Sequence, residues 1–145
     1  YADISWIGYT GSLVPESVQN RFETVIKARD LVFPAVSEAL ANGQTITGSN
    51  CDRIVREFLL REAGPEPIRH RTGHGIDTDC HGSGVNLDSV EFPDNRILME
   101  GSCFSIEPGL YYNDCGFRTE INMCIRGGKP CITGPEIQTQ LLRLS

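Results

Sequence analysis

All three histidines of this 145-residue chain, His70, His74 and His81, fall within the stretch "HRTGHGIDTDCH". Imidazole is the side chain most often used to bind metals or move protons near neutral pH, so the clustering points to chemistry at one place. Two glutamates of the second half join them. Glu107 ends the apolar stretch "CFSIE" before a Pro-Gly pair, and Glu120 lies inside "FRTEINMCI", two residues after Arg118. Residues two apart on a strand share a face, which predicts that Arg118 and Glu120 project together. If the two stretches pair as antiparallel neighbours, the two carboxylates come within reach of one another. Such a pair on a covered face needs a cation, either a metal or Arg118. One imidazole with two hard oxygens suits Mn²⁺, Co²⁺, Fe²⁺ or Zn²⁺ better than a thiolate-seeking soft ion.

Other donor patterns in the same region fit less well. Cys80 beside His81 suggests zinc, but no second cysteine stands nearby and it is set aside. "DTDCHGSGVNLD" places acids at positions 1 and 3 and glycine at 6 of an EF-hand loop. The match then fails, because position 12 is Asp88 and "RTGHGI" cannot be an entering helix. The six cysteines, Cys51, Cys80, Cys103, Cys115, Cys124 and Cys131, contain no CxxC pair. They read as reduced thiols of a cytoplasmic protein.

The elements that must position these groups divide into two kinds. From Pro15, apolar residues at Val18, Phe22, Val25, Val32, Val36 and Leu40 follow one helical face. Pro15 suits the first turn, and Pro34 should kink or split the helix. A glycine-punctuated connection follows, with Ser49 or Asn50 as the expected cap of a helix that turns Ile54, Val55, Phe58 and Leu59 inward and ends near "EAGPEP". After Pro67, short β-leaning stretches, "GVNL", "CFSIE", "LYY", "FRTEINMCI" and "KPCIT", alternate with turn residues. An α+β domain with helices covering one face of an antiparallel sheet is the expected architecture. A net charge of −6 and the lack of a basic patch beyond "IRHRTGH" argue against a nucleic-acid surface. No apolar run approaches the roughly 20 residues of a membrane span.

"HRTGHGI" with its following His81, "FSIEPGLYY" and "FRTEIN" together resemble the pita-bread metallopeptidases, the family of methionine aminopeptidase, aminopeptidase P, Xaa-Pro dipeptidase and creatinase. The leading His70 and "EPGLYY" resemble its Xaa-Pro-cleaving branch. The resemblance covers nearly the whole chain, since "ADISWIGYTG" and the helix after it look like the region of the family's second metal-binding aspartate. It implies a pita-bread fold over a single, partial catalytic domain, residues 1–145, lacking the first N-terminal strands. It also implies Asp3, His74, Glu107 and Glu120 as metal ligands, with Glu107 as general base. His70 and His81 would hold substrate and stabilise the tetrahedral intermediate, and Arg118 would orient the carboxylates from beside substrate.

Departures from the family bear on activity. The family's first ligand aspartate would lie upstream of Tyr1, so the chain reads as a piece of something longer with one complete metal site and one incomplete. Ser5-Trp6 stands where the family carries Thr-Arg, Gly82 replaces a glutamate, and Ile121-Asn122 replaces an acid. The implied reaction is removal of an N-terminal residue, one preceding proline, from a short peptide, with Mn²⁺ the foremost ion. The alternatives are a weakly active or inactive binding or dimerisation module and a creatinase-like amidinohydrolase. A sheet edge left unpaired by absent strands would favour a homodimer.

Overall fold

The apolar stripe that begins after Pro15 forms two helices, as Pro34 requires. In a computed structural model that describes residues 1–144, α1 (Glu16–Asp30) stops at Leu31 and α2 (Val32–Ala41) starts anew. Pro34 lies in the first turn of α2, where its missing N–H would have had no partner in any case. Pro15 is the residue before the first turn of α1. The third helix, α3 (Gly48–Ala63), is capped by Thr47 and not by Ser49 or Asn50. The Thr47 hydroxyl accepts from the Asn50 amide, and the Asn50 side chain accepts in return from the Thr47 backbone N–H. The reciprocal partner is thus a residue that had looked like the cap itself.

Short strands complete the fold: β1 (Gly8–Thr10), β2 (Cys103–Ile106), β3 (Gly109–Tyr111), β4 (Gly116–Arg118), β5 (Ile121–Arg126), β6 (Lys129–Thr133) and β7 (Leu142–Leu144). The central antiparallel sheet has the order β2-β5-β6, and β3 and β4 form an antiparallel pair. "GVNL" is not a strand; Leu87 makes only a single bridge to Gly73. The chain's two ends meet in a parallel pair, β1 with β7, which the antiparallel expectation did not include.

Ile121, Met123 and Ile125 of β5 and Phe104 and Ile106 of β2 are buried, together with Phe22 and Val25 of α1, Val32 and Val36 of α2 and Val55 and Leu59 of α3. Fully burying each such side chain contributes about 1.5–3 kcal/mol, so the helices hold the sheet from one side. The alternate residue Asn122 belongs to the other face of β5, and so does Glu120 one step before the strand. That face, away from the helices, is where the donors collect.

Candidate metal centre

The register between β2 and β5 sets the first feature of the site. Ile106 opposes Ile121, so the next positions outward, Glu107 and Glu120, stand across from one another. His74 reaches the same point from "HRTGH", which runs beside β2. The Ser105 amide donates to the His74 carbonyl at 2.8 Å, and the Glu107 amide donates to the Thr72 carbonyl at 2.7 Å. Gly73 permits this close approach, because a Cβ there would sit 2.0 Å from the Ser105 carbonyl oxygen.

One donor atom from each of His74, Glu107 and Glu120 lies within 4.8 Å of the others. His74 Nε2 is 3.3 Å from Glu107 Oε1. Its Nδ1 lies 3.2 Å from the Gly75 carbonyl, an acceptor, and with the proton held there Nε2 would be the nitrogen offered to an ion among the carboxylates. Glu120 is 1% exposed. Its Oε2 accepts from the Ser5 hydroxyl at 2.8 Å, whereas Oε1 is buried with no hydrogen-bond partner. Burial pushes the Glu120 carboxyl above the usual carboxylate range; the Ser5 bond opposes the rise, and Glu107 and Asp3 add to it. A buried acceptor left without a donor is costly unless a cation meets it. The hard oxygens and the inward imidazole therefore fit a divalent ion of the manganese-to-zinc series.

Asp3 approaches the same imidazole nitrogen, with Oδ2 3.5 Å from His74 Nε2. It is held by Asn122 of β5, whose Oδ1 accepts from the Asp3 amide at 2.8 Å and whose Nδ2 donates to the Asp3 carbonyl at 2.6 Å. Cys80, set aside on sequence grounds, is here too: its thiol donates to Asp3 Oδ2 at 3.0 Å. Asp3, His74, Cys80 and His81 form a second group of donors within 4.8 Å of one another. The His81 ring tilts against that of His74, with centroids 4.1 Å apart, and is exposed.

Two expected residues lie outside both donor groups. Arg118 ends β4 and Glu120 precedes β5, and the two meet at the Ser5 hydroxyl, which accepts from Arg118 Nη2 at 3.4 Å and donates to Glu120 Oε2. The other is His70, whose Nε2 is 2.8 Å from the Tyr111 hydroxyl and whose Nδ1 is 2.7 Å from the Arg71 carbonyl. Tyr111 and Arg118 line a cleft of about 550 Å³ together with Ser5, Trp6 and Gly116. His70 and Arg118 thus flank space beside the carboxylates.

Several positioning residues escaped the sequence reading. Asp52 of α3, fully buried, accepts from the Thr72 amide at 2.9 Å and the Thr72 hydroxyl at 2.6 Å. It also accepts from Arg56 at 3.1 Å and from Ser89. Arg56 in turn donates to the His70 carbonyl at 3.2 Å, so α3 anchors the histidine stretch at two points. Buried Arg29 donates to the Thr119 hydroxyl at 3.2 Å and to the Gln138 carbonyl at 2.8 Å, bracing the residue before Glu120. Gln138 exchanges two hydrogen bonds with the Ile7 backbone, which steadies the segment bearing Asp3. A buried polar residue inside an apolar helical face, as Asp52 is, was the one available signal.

Solved structures share this fold. A dipeptidase from Pyrococcus horikoshii superimposes with a TM-score of 0.79 at 27% identity, over 99% of this chain and 37% of that one. A prolidase from Thermococcus sibiricus gives 0.80 at 24% identity, over 97% of this chain and 35% of that one. The fold is accordingly the pita-bread arrangement. Among curated sequences, an Xaa-Pro dipeptidase of Lactobacillus helveticus is 34% identical over 83 residues, 52% of this chain and 22% of that protein. An uncharacterized peptidase of Methanocaldococcus jannaschii is 31% identical over 110 residues, 74% of this chain and 30% of its own length. The chain thus spans about a quarter of the length of these relatives. The model of metallopeptidase family M24 matches residues 1–127, a range that takes in every donor described above, and the chain belongs to that family.

Proposed function

We propose that this chain carries the metal-binding part of a peptidase that hydrolyses the bond after an N-terminal residue, with Xaa-Pro peptides as substrates. The observation that carries the reading is the meeting of His74 Nε2, Glu107 and Glu120 on one point, with the buried Glu120 Oε1 lacking any donor. The names of the relatives support the substrate class, since the Lactobacillus protein is an Xaa-Pro dipeptidase and the Thermococcus structure a prolidase.

Asp3, His74, Glu107 and Glu120 would hold a divalent ion of the series Mn²⁺, Fe²⁺, Co²⁺ and Zn²⁺. Bound there, a divalent cation would lower the pKa of an attached water and polarise the scissile carbonyl. Glu107, whose side chain is 14% exposed, is the carboxylate placed to take a proton from water and return it to the leaving amine. The exposed imidazole of His81 would donate to the developing oxyanion. His70, steadied by Tyr111, and Arg118 would position the peptide from the adjoining cleft. Residues 1–145 would act as one unit in this role, because the donors come from positions 3 to 120.

Six free thiols support a reducing compartment, the cytoplasm. No helix among the described residues is long and apolar enough to cross a membrane. Strand β6 ends the order β2-β5-β6, and its outer edge supports pairing between two copies.

The test is release of the N-terminal residue from an Xaa-Pro dipeptide with Mn²⁺ present, compared with His74→Ala. Turnover that disappears in the variant supports the peptidase. Mn²⁺ binding without turnover of peptide or creatine would leave a binding module in its place.

A further inference from the structure

The donors around His74 are not all hard. Cys80 places sulfur 3.0 Å from Asp3 Oδ2, in a group whose other members are His74 and His81. Its position is built by the local chain. Asp77 Oδ1 accepts from the Asp79 amide at 2.9 Å, and Oδ2 accepts from the Ser83 amide at 2.8 Å and the Ser83 hydroxyl at 3.0 Å. The Gly82 amide donates to the Gly75 carbonyl at 2.8 Å. A Cβ at Gly82 would lie 2.4 Å from the Asp77 carboxyl carbon, so glycine leaves the Asp77 carboxylate room to hold the turn. The tight turn that results swings Cys80 toward Asp3, half-buried, while Thr78 and Asp79 stay in solvent.

A thiol near an acid would be unremarkable alone. The neighbouring half of the site supplies the independent observation: Glu120, 1% exposed, has an oxygen without a partner beside His74, the residue common to both donor groups. A cation is called for at His74, and the sulfur belongs to the other group of donors that shares this histidine.

We propose that Cys80 is a metal ligand, and that with Asp3, His74 and His81 it makes this centre select a thiophilic divalent ion, Zn²⁺ or Co²⁺, over Mn²⁺. The proposal rests on the metal-binding reading of His74, Glu107 and Glu120 and changes which ion that centre takes. On ligation the S–H bond breaks, its proton leaves to solvent, and a sulfur–metal bond forms with no change of oxidation state. Asp3 Oδ2, which now accepts from the thiol, becomes free to ligate as well. Sulfur and imidazole together with a carboxylate form a donor set that zinc and cobalt accept and manganese disfavours.

Cobalt(II) provides the readout, because a thiolate ligand gives it a near-ultraviolet sulfur-to-metal charge-transfer band that oxygen and nitrogen donors do not. The whole chain is titrated with Co²⁺ beside Cys80→Ser, with the other five thiols retained in both. The expected result is a band in the parent that is lost in Cys80→Ser while Co²⁺ still binds. Zn²⁺ affinity should fall at least about 10-fold in the variant, with Mn²⁺ affinity held within about 2-fold. Co²⁺ binding without the band, or a band that survives in Cys80→Ser, overturns the thiolate ligand and leaves the oxygen–imidazole centre standing. Failure of both proteins to bind Co²⁺ overturns that centre too. Should Cys80→Ser fold poorly, the parent alone decides: Zn²⁺ should slow alkylation of Cys80 by about 10-fold and leave Cys103 and Cys131 unchanged. An unaltered Cys80 rate rejects the proposal.

Discussion

The donors facing His74 come from two unlike regions. Glu107 and Glu120 are set by the β2–β5 register and are little exposed, so paired backbone fixes their places. Asp3, Cys80 and His81 sit on an N-terminal segment and a loop, outside any strand pairing, where side-chain hydrogen bonds do much of the holding. The Asp3 side chain is 31% exposed against 3% for His74. A site assembled this way has a rigid half, which keeps its shape before an ion arrives, and an adjustable half that closes on it. The adjustable half is also where the Cys80 sulfur sits.

The comparison breaks outright if His74 is removed, since it serves both regions. His74→Ala should lower Mn²⁺ affinity by more than about 100-fold, beyond the 10–100-fold typical of residues that only support a ligand. Isothermal calorimetry measures it; retained tight binding would mean that the carboxylates suffice. The rigid half is challenged next through Asp52→Ala, which strips a buried carboxylate from Arg56, Thr72 and Ser89. Breaking one partner of such a buried pair costs about 3–5 kcal/mol. The urea midpoint of the ion-free protein should drop accordingly, and an unchanged midpoint would show that α3 does not anchor the histidine stretch.

The adjustable half has a weaker brace, sensitive to acid. Arg96 donates to the Ser83 and Gly84 carbonyls at 2.8 and 2.7 Å, just beyond Cys80 and His81, and is itself held by Asp94. The hydrogen bond from Arg96 lowers the Asp94 carboxyl from 3.8 to about 2, with help from the Asn86 and Arg96 amides and against the effect of burial. A carboxyl lowered on folding stabilises the protein above its ordinary value, and that contribution is lost as pH falls through about 2. Its size is about 2 kcal/mol. Asp94→Asn should therefore flatten the acid limb of the stability curve by that amount. In the parent, acid should speed hydrogen exchange at residues 80–83 before it does so in β5. Simultaneous exchange in both would erase the distinction between the halves. The smallest effect is expected from Asn122→Ala, which frees Asp3 without touching a ligand and should weaken ion binding about 10-fold. Equal affinity would show that Asp3 needs no seat.

The rigid half was legible in the sequence because its chemistry follows from strand pairing. "CFSIE" and "FRTEIN" carry enough alternation to suggest their register, and Glu107 opposite Glu120 is its direct consequence. Pro34 likewise marked the split between α1 and α2. Reading stopped where tertiary contacts override periodicity. Arg118 and Glu120 fit one strand in pattern and do meet at Ser5, but strand pairing is interrupted at Thr119, held by Arg29 from α1, so they belong to different elements. Cys80 lacked any nearby partner because its neighbour, Asp3, stands 77 positions away. Asn122 looked like a lost acid; its amide instead makes a paired bond, donating and accepting at once, that a carboxylate could not make with the Asp3 backbone. Strand β7 is exposed and three residues long, too brief for any pattern to reveal its parallel pairing with β1.

That pairing gives the site an order of assembly. Asp3 precedes by more than a hundred positions the residues that secure its segment, Asn122, Gln138 and the strand at 142–144. The growing polypeptide therefore exposes its histidines and acids well before the aspartate can be seated among them. Any ion picked up in that interval meets half a cage, and the choice among competing cations falls to the moment when residues 122–144 have docked.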